Sequence, residues 1–178
     1  MAQVVKKLLF CKIMHVNSLV KLFVAVGISE LVGILGSVFT ISAIPNWYAT
    51  LIKPALNPSA WVFGPVWTIL YFLMGISLWL IWSSYAKASD GQRKILIKKA
   101  IGLFVVQLAL NVIWSPIFFG AQSIGNALAV IILLWAAIVL TILIFKKISR
   151  TAAWLLIPYI VWVSFALYLN FAIWLLNK

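Results

Sequence analysis

The 178-residue chain is 66% hydrophobic and 9% charged, whereas a water-soluble domain of this size carries roughly 25% charged residues. So small a charged share cannot clothe a water-facing surface, and lipid is the solvent for most of the molecule. Fourteen Lys or Arg stand against Glu30 and Asp90, a net charge of +12, but these cations lie in short segments between apolar runs rather than in one patch on a soluble domain, which argues against nucleic acid as a partner.

Residues 1–21 carry Lys6, Lys7, Lys12 and Lys21. Lys12 interrupts the apolar region and no small-residue cleavage site follows, so the segment reads as a basic, interfacial extension rather than a signal peptide. Within it, His15 is a solvated or interfacial histidine, and the single Cys11 allows no internal disulfide. With two carboxylates and one histidine the chain lacks the makings of a catalytic triad or a metal site. No metal or required cofactor is expected.

A helix needs about 20 apolar residues to cross a hydrocarbon core of about 30 Å. Five stretches meet that length: 22–44, 62–82, 100–120, 125–145 and 152–176. Each is continuously apolar, unlike the alternating strands of a membrane barrel. The predicted fold is therefore an all-α membrane protein, a five-transmembrane-helix bundle occupying residues 22–178 after the extension. On the first span Ser29, Gly33 and Ser37 recur every four residues, a pattern that lets a second backbone approach closely. Glu30 lies in the same span, where a charge is expensive and faces the bundle interior, a partner or the interface.

The first connection and the start of the second span read NWYATLIKPALNPSAWVFGPVWTILY, residues 46–71, with three tryptophans, two tyrosines, three prolines and one cation, Lys53. Pro54, Pro58 and Pro65 each fix φ, so this loop is stiff and loses little entropy on closing over the helix mouth. Trp47, Tyr48 and Trp61 would form its apolar underside. Lys53 would meet a ligand carboxylate or a lipid headgroup, or snorkel. Trp79 and Trp82 close the second span at an interface.

The third span places Gln107, Asn111, Trp114, Ser115 and Phe118 on one face, at i, i+4, i+7, i+8 and i+11. An amide pair in lipid is costly unless it points inward, so this face looks into the bundle. Trp135 in the fourth span reads as packing. On the fifth, Trp162, Ala166 and Asn170 form a stripe that suits either a ligand wall or plain helix packing, while Trp154 and Trp174, twenty residues apart, anchor the two interfaces. Basic residues decide orientation: twelve of the fourteen fall on the side of the N-terminus and of the second and fourth connections, against Lys53 and Lys178 on the other. The N-terminus is thus expected in the cytoplasm, with the first loop and the C-terminus on the opposite side.

The W-Y-x-x-L-x-K-P and P-x-x-W-V-F-G-P-V-W-T-x-L-Y pattern between Trp47 and Tyr71 resembles the first loop and second helix of the translocator protein family, the TspO/MBR family of tryptophan-rich sensory proteins and peripheral benzodiazepine receptors. ELVGILGSVFT from Glu30, ALNVIWSPIFFG from Ala109 and AWLLIPYIVWVSFALYLNFAIWLLN from Ala153 resemble its first, third and fifth helices. Two details depart from the family. Tyr168 is followed by no cation until Lys178, so the C-terminal cholesterol motif of animal members is absent, and a common proline pair is here Pro58-Ser59. The resemblance implies a five-helix bundle that binds porphyrins, and in animals sterols, beneath the first loop, often as a homodimer. It implies ligand contacts from Trp47, Tyr48, Trp67, Asn111, Trp114, Trp162 and Ala166. Their indoles would stack on a flat macrocycle while Asn111 bonds one edge. The function implied is an integral membrane receptor or sensor for tetrapyrroles. A transporter of the same ligand and a light-dependent porphyrin-degrading enzyme are the alternatives.

Overall fold

The computed structural model describes the backbone of residues 2–178 and the side chains from residue 18 onward; Cys11, His15, Lys6, Lys7 and Lys12 thus lie outside the described side chains. Among the described residues five helices are long and apolar enough to cross a membrane: Ser18–Tyr48, Ala60–Lys87, Gly91–Gly120, Ile124–Ile148 and Arg150–Leu176. Each contains its predicted stretch and runs past it, because polar and basic residues continue the helical bonding beyond the apolar core.

The first span is α1 (Ala2–Ala43), in which residue 21 is an interior position. Pro45 lacks the N–H that the next turn needs, and α1 widens into a π-type turn at Ile44–Tyr48. The second span begins with a short 3-10 turn at Ala60–Val62 and continues as α2 (Phe63–Lys87). The Asp90 side chain, accepting from Gln92 N at 2.9 Å, starts α3 (Gly91–Ser115). At its far end Pro116 repeats the effect of Pro45, with Ala121 N bonded five residues back to Pro116 O at 2.7 Å. α4 is Ile124–Ile148, with Lys146 and Lys147 at the carbonyl end of its dipole.

The fifth span differs from the single helix predicted. It is broken into α5 (Arg150–Leu155), opened by the Ser149 side chain, and α6 (Ile157–Leu176). Pro158 cannot donate back across the junction, so the last turn of α5 ends at Leu156.

In lipid there is no hydrophobic force between helices, so close packing and interhelical hydrogen bonds must hold them. α1 packs chiefly on α2, α3 on α4, and α4 on α6. The α1–α2 crossing depends on glycine: Gly75 faces Val26, where an added Cβ would stand 2.5 Å from Val26 Cα, and Gly33 faces the Tyr71 ring at 2.6 Å. Ser29 is buried in this seam, as the four-residue spacing predicts. Ser77 Oγ donates to Ala152 O at 2.7 Å, tying α2 to α5, and Trp135 Nε1 donates to Ser164 Oγ at 2.9 Å, tying α4 to α6. The central core joins Leu70, Met74, Phe104, Ile138, Phe145 and Tyr159, with Phe104 and Phe145 stacked at 5.9 Å.

α1 is the peripheral member. Only 11% of its most apolar stretch is buried, against 39% in the second span and 33% in each of the others. Its outward face, including Phe23, Leu31, Leu35 and Val38, is exposed hydrocarbon, which suits lipid. The tryptophans assigned to interfaces also find local partners. Trp79 Nε1 donates to Ser18 O at 2.9 Å, Lys21 lies 5.9 Å from the Trp82 ring, and Lys178 lies 3.9 Å from that of Trp174. Trp154 remains 71% exposed.

Candidate functional site

Above their tight crossing at Val26–Gly75, α1 and α2 enclose a cavity of about 470 Å³. That size suits a drug-sized ligand. Its floor and back are aromatic: Trp67 and Tyr71 from α2, Trp114 from α3, Phe118 and Phe119 from the widened turn, and Trp162 from α6. Ile34 and Ile41 on α1 and Trp61, Gly64 and Thr68 at the start of the second span also line it and are exposed. These residues mark the open side, which lies laterally between the first two helices.

Six of the seven residues carried over from the resemblance, Tyr48, Trp67, Asn111, Trp114, Trp162 and Ala166, line this cavity. Trp47 does not. Its ring packs edge-on against Phe118 at 5.6 Å, behind the wall rather than in it. A residue leaving a π-type turn can face into the bundle mouth or across its outer end, and here Phe118 holds Trp47 at the outer end.

The face read from the third span is inward as expected: Gln107, Asn111, Ser115 and Phe118 are all buried and Trp114 half-buried. Asn111 joins three helices. Its Oδ1 accepts from Tyr71 Oη at 2.6 Å and its Nδ2 donates to Tyr159 Oη at 2.9 Å, so its amide serves the bundle first and retains one N–H and one lone pair. Trp114 Nε1 donates to Asn170 Oδ1 at 3.1 Å, and Asn170 Nδ2 donates to Ile124 O at 3.0 Å, which fixes the indole against Phe118, stacked at 5.0 Å. Trp67 lies stacked on Tyr71 at 5.4 Å. Ser115 Oγ donates to Gly36 O at 2.7 Å and lies 3.1 Å from Thr40 Oγ1, closing α1 onto α3 at the outer end of the cavity. By contrast, Trp162 Nε1 is buried with no partner.

Replacing Asn111 with leucine tests this bracing. It strands the hydroxyls of Tyr71 and Tyr159, and thermal unfolding in detergent is expected to show a loss of about 1–3 kcal/mol. Ser37→Ala, which removes a hydroxyl bonded only within its own helix, is expected to stay within about 0.5 kcal/mol. Equal effects would show that Asn111 braces nothing.

The loop is stiff, but it does not roof the cavity as expected. Residues 49–59 line no part of it. Instead Ile52 N donates to Asn177 Oδ1 at 3.0 Å and Ile52 O accepts from Asn177 Nδ2 at 2.9 Å, which docks the loop on the end of α6. The anchors at its two ends, Tyr48 and Trp61, do line the cavity, and Tyr48 Oη donates to Asn57 Oδ1 at 2.7 Å. Trp61 is 76% exposed, a rim residue rather than an underside. Lys53 Nζ donates to Ala49 O and Leu51 O and sits 5.0 Å over the Tyr48 ring, so its charge serves the turn's own carbonyls.

Sequence reasoning missed Glu30, Ile34, Ile41 and Tyr71 as lining residues. The signal was available on α1, since Glu30, Ile34, Ser37 and Ile41 fall at i, i+4, i+7 and i+11.

A model of the TspO/MBR family matches residues 25–175 of the chain. The chain is 44% identical over 162 residues to the tryptophan-rich protein TspO of Chlorobaculum tepidum, covering 90% of this chain and 98% of that protein. It is 40% identical over 129 residues to the translocator protein of Homo sapiens, covering 72% and 73%. To the tryptophan-rich sensory protein of Cereibacter sphaeroides it is 36% identical over 132 residues, covering 74% and 77%.

Proposed function

The chain belongs to the TspO/MBR family, and from that premise we propose that it is a membrane receptor or sensor that takes porphyrins, and other flat apolar ligands such as sterols, into the bundle. The observation that carries the proposal is the cavity itself: about 470 Å³, walled by Trp67, Trp114 and Trp162 and open between α1 and α2. Indole faces offer a planar macrocycle broad apolar contact with quadrupole-matched edges. The lateral opening, between helices whose outer faces are hydrocarbon, suits a ligand that partitions into the bilayer before it binds.

Titration of the purified protein with protoporphyrin tests this. Tryptophan emission is expected to quench saturably at one ligand per chain, since three indoles line one cavity. Linear quenching without saturation would remove the proposal. The reading includes a homodimer and a cytoplasmic N-terminus, the latter on the twelve-to-two division of basic residues. Labelling single cysteines placed in the first and second loops of a Cys11→Ser chain with an impermeant maleimide added outside tests the orientation: the first loop is expected to react, and reaction of the second loop instead would refute it.

A further inference from the structure

The polar groups of the cavity are unevenly placed. Among the described residues Glu30 is the one carboxylate that lines it, and no lysine or arginine does. Glu30 is half-buried on α1, one turn below Gly33. Across the cavity, Trp162 on α6 has a buried indole N–H with no acceptor. These two helices stand on opposite sides, since α1 packs on α2 and α3 while α6 packs on α4, α2 and α5. The α1 wall thus lacks a hydrogen-bond donor or cation for its carboxylate, while the Trp162 N–H is closed off from the cavity.

An ionised carboxylate facing an apolar cavity is costly without a partner, and an unpaired buried N–H is costly too. A ligand can satisfy the carboxylate. We infer that Glu30 is a specificity-determining residue of the cavity, selecting flat amphiphiles that present an ammonium or N–H donor to α1. The inference rests on the cavity being the ligand site. It also orients a porphyrin: propionates are repelled from Glu30 and turn away from the α1 wall, leaving an edge with uncharged substituents there.

The test compares two porphyrins of the same ring, protoporphyrin with its two propionates and an analogue with alkylammonium arms in their place. Affinities are read from tryptophan quenching of the full chain in lipid nanodiscs. The wild-type chain is expected to prefer the ammonium form. Glu30→Gln is expected to reduce that preference about tenfold, the lower end for a charge-assisted hydrogen bond, while Glu30→Asp retains it. A preference unchanged in Glu30→Gln overturns the inference. Trp162→Ala separates the two levels. If it weakens both porphyrins while Glu30→Gln leaves their ratio alone, the cavity stands and the role of Glu30 falls. If neither porphyrin binds saturably to the wild-type chain, the cavity reading falls and takes this inference with it.

Discussion

Gly75→Ala is expected to lower the melting temperature of the detergent-solubilised protein by about 2–12 °C, while Gly27→Ala leaves it unchanged or raises it by up to about 4 °C. Both glycines are helical and lie in apolar spans, yet their surroundings differ. A methyl group at Gly75 would stand 2.5 Å from Val26 Cα and 3.0 Å from Val26 N, whereas at Gly27 nothing lies within 4 Å. The neighbour at Gly75 is backbone, so no rotamer change relieves the clash and α1 must move off α2. Overpacking of this kind costs about 1–3 kcal/mol, and a chain of this length loses roughly 2–4 °C per kcal/mol. Gly27→Ala instead gains helix propensity of about 1 kcal/mol at most. Because α1 supplies one wall of the cavity, Gly75→Ala should also weaken ligand binding. Equal melting temperatures for the two variants would show that the α1–α2 crossing is not glycine-dependent.

The second large effect is on binding. Trp162→Ala is expected to weaken protoporphyrin affinity by about tenfold or more, since loss of one aromatic platform beneath a planar ring is worth about 1–3 kcal/mol. Trp162 lines the cavity, meets Phe63 edge-on at 6.0 Å and lies 5.7 Å from Phe165, so its removal leaves a gap that those rings do not fill in place. Trp162→Phe keeps an apolar ring and removes the N–H, and it should fall between the two. Trp154→Ala is the control, because that ring is 71% exposed on the outside of the bundle. Retained affinity in Trp162→Ala, with the variant folded, would take the ligand out of the cavity.

Much of this architecture could be read from residues alone. The five spans announce themselves because a membrane helix must be apolar over its whole width, whichever neighbour it meets. The inward face of α3 was equally legible, since Gln107 and Asn111 cannot face acyl chains cheaply. The tertiary positions were harder. Trp47 is as aromatic as Trp67, and only the path of the chain through the Pro45 turn decides that it packs behind Phe118. Pro116 and Pro158 were visible as residues, but the same missing N–H widens one helix and breaks another. The docking of Ile52 on Asn177 joins positions 125 residues apart and leaves no local trace. Ser29, Gly33 and Ser37 marked a helix contact correctly at Ser29 and Gly33, yet that spacing drew attention from the neighbouring Glu30 face, which lines the cavity.

The central claim is that this bundle holds a flat ligand inside itself, against Trp67, Trp114 and Trp162. An experimental structure of the chain with protoporphyrin bound measures it most directly. The macrocycle is expected between α1 and α6, in contact with those three indoles and reached through the gap beside Ile41 and Thr68. A macrocycle seated on the outer face of α1, against Phe23 and Leu31, with the cavity unfilled, would contradict it.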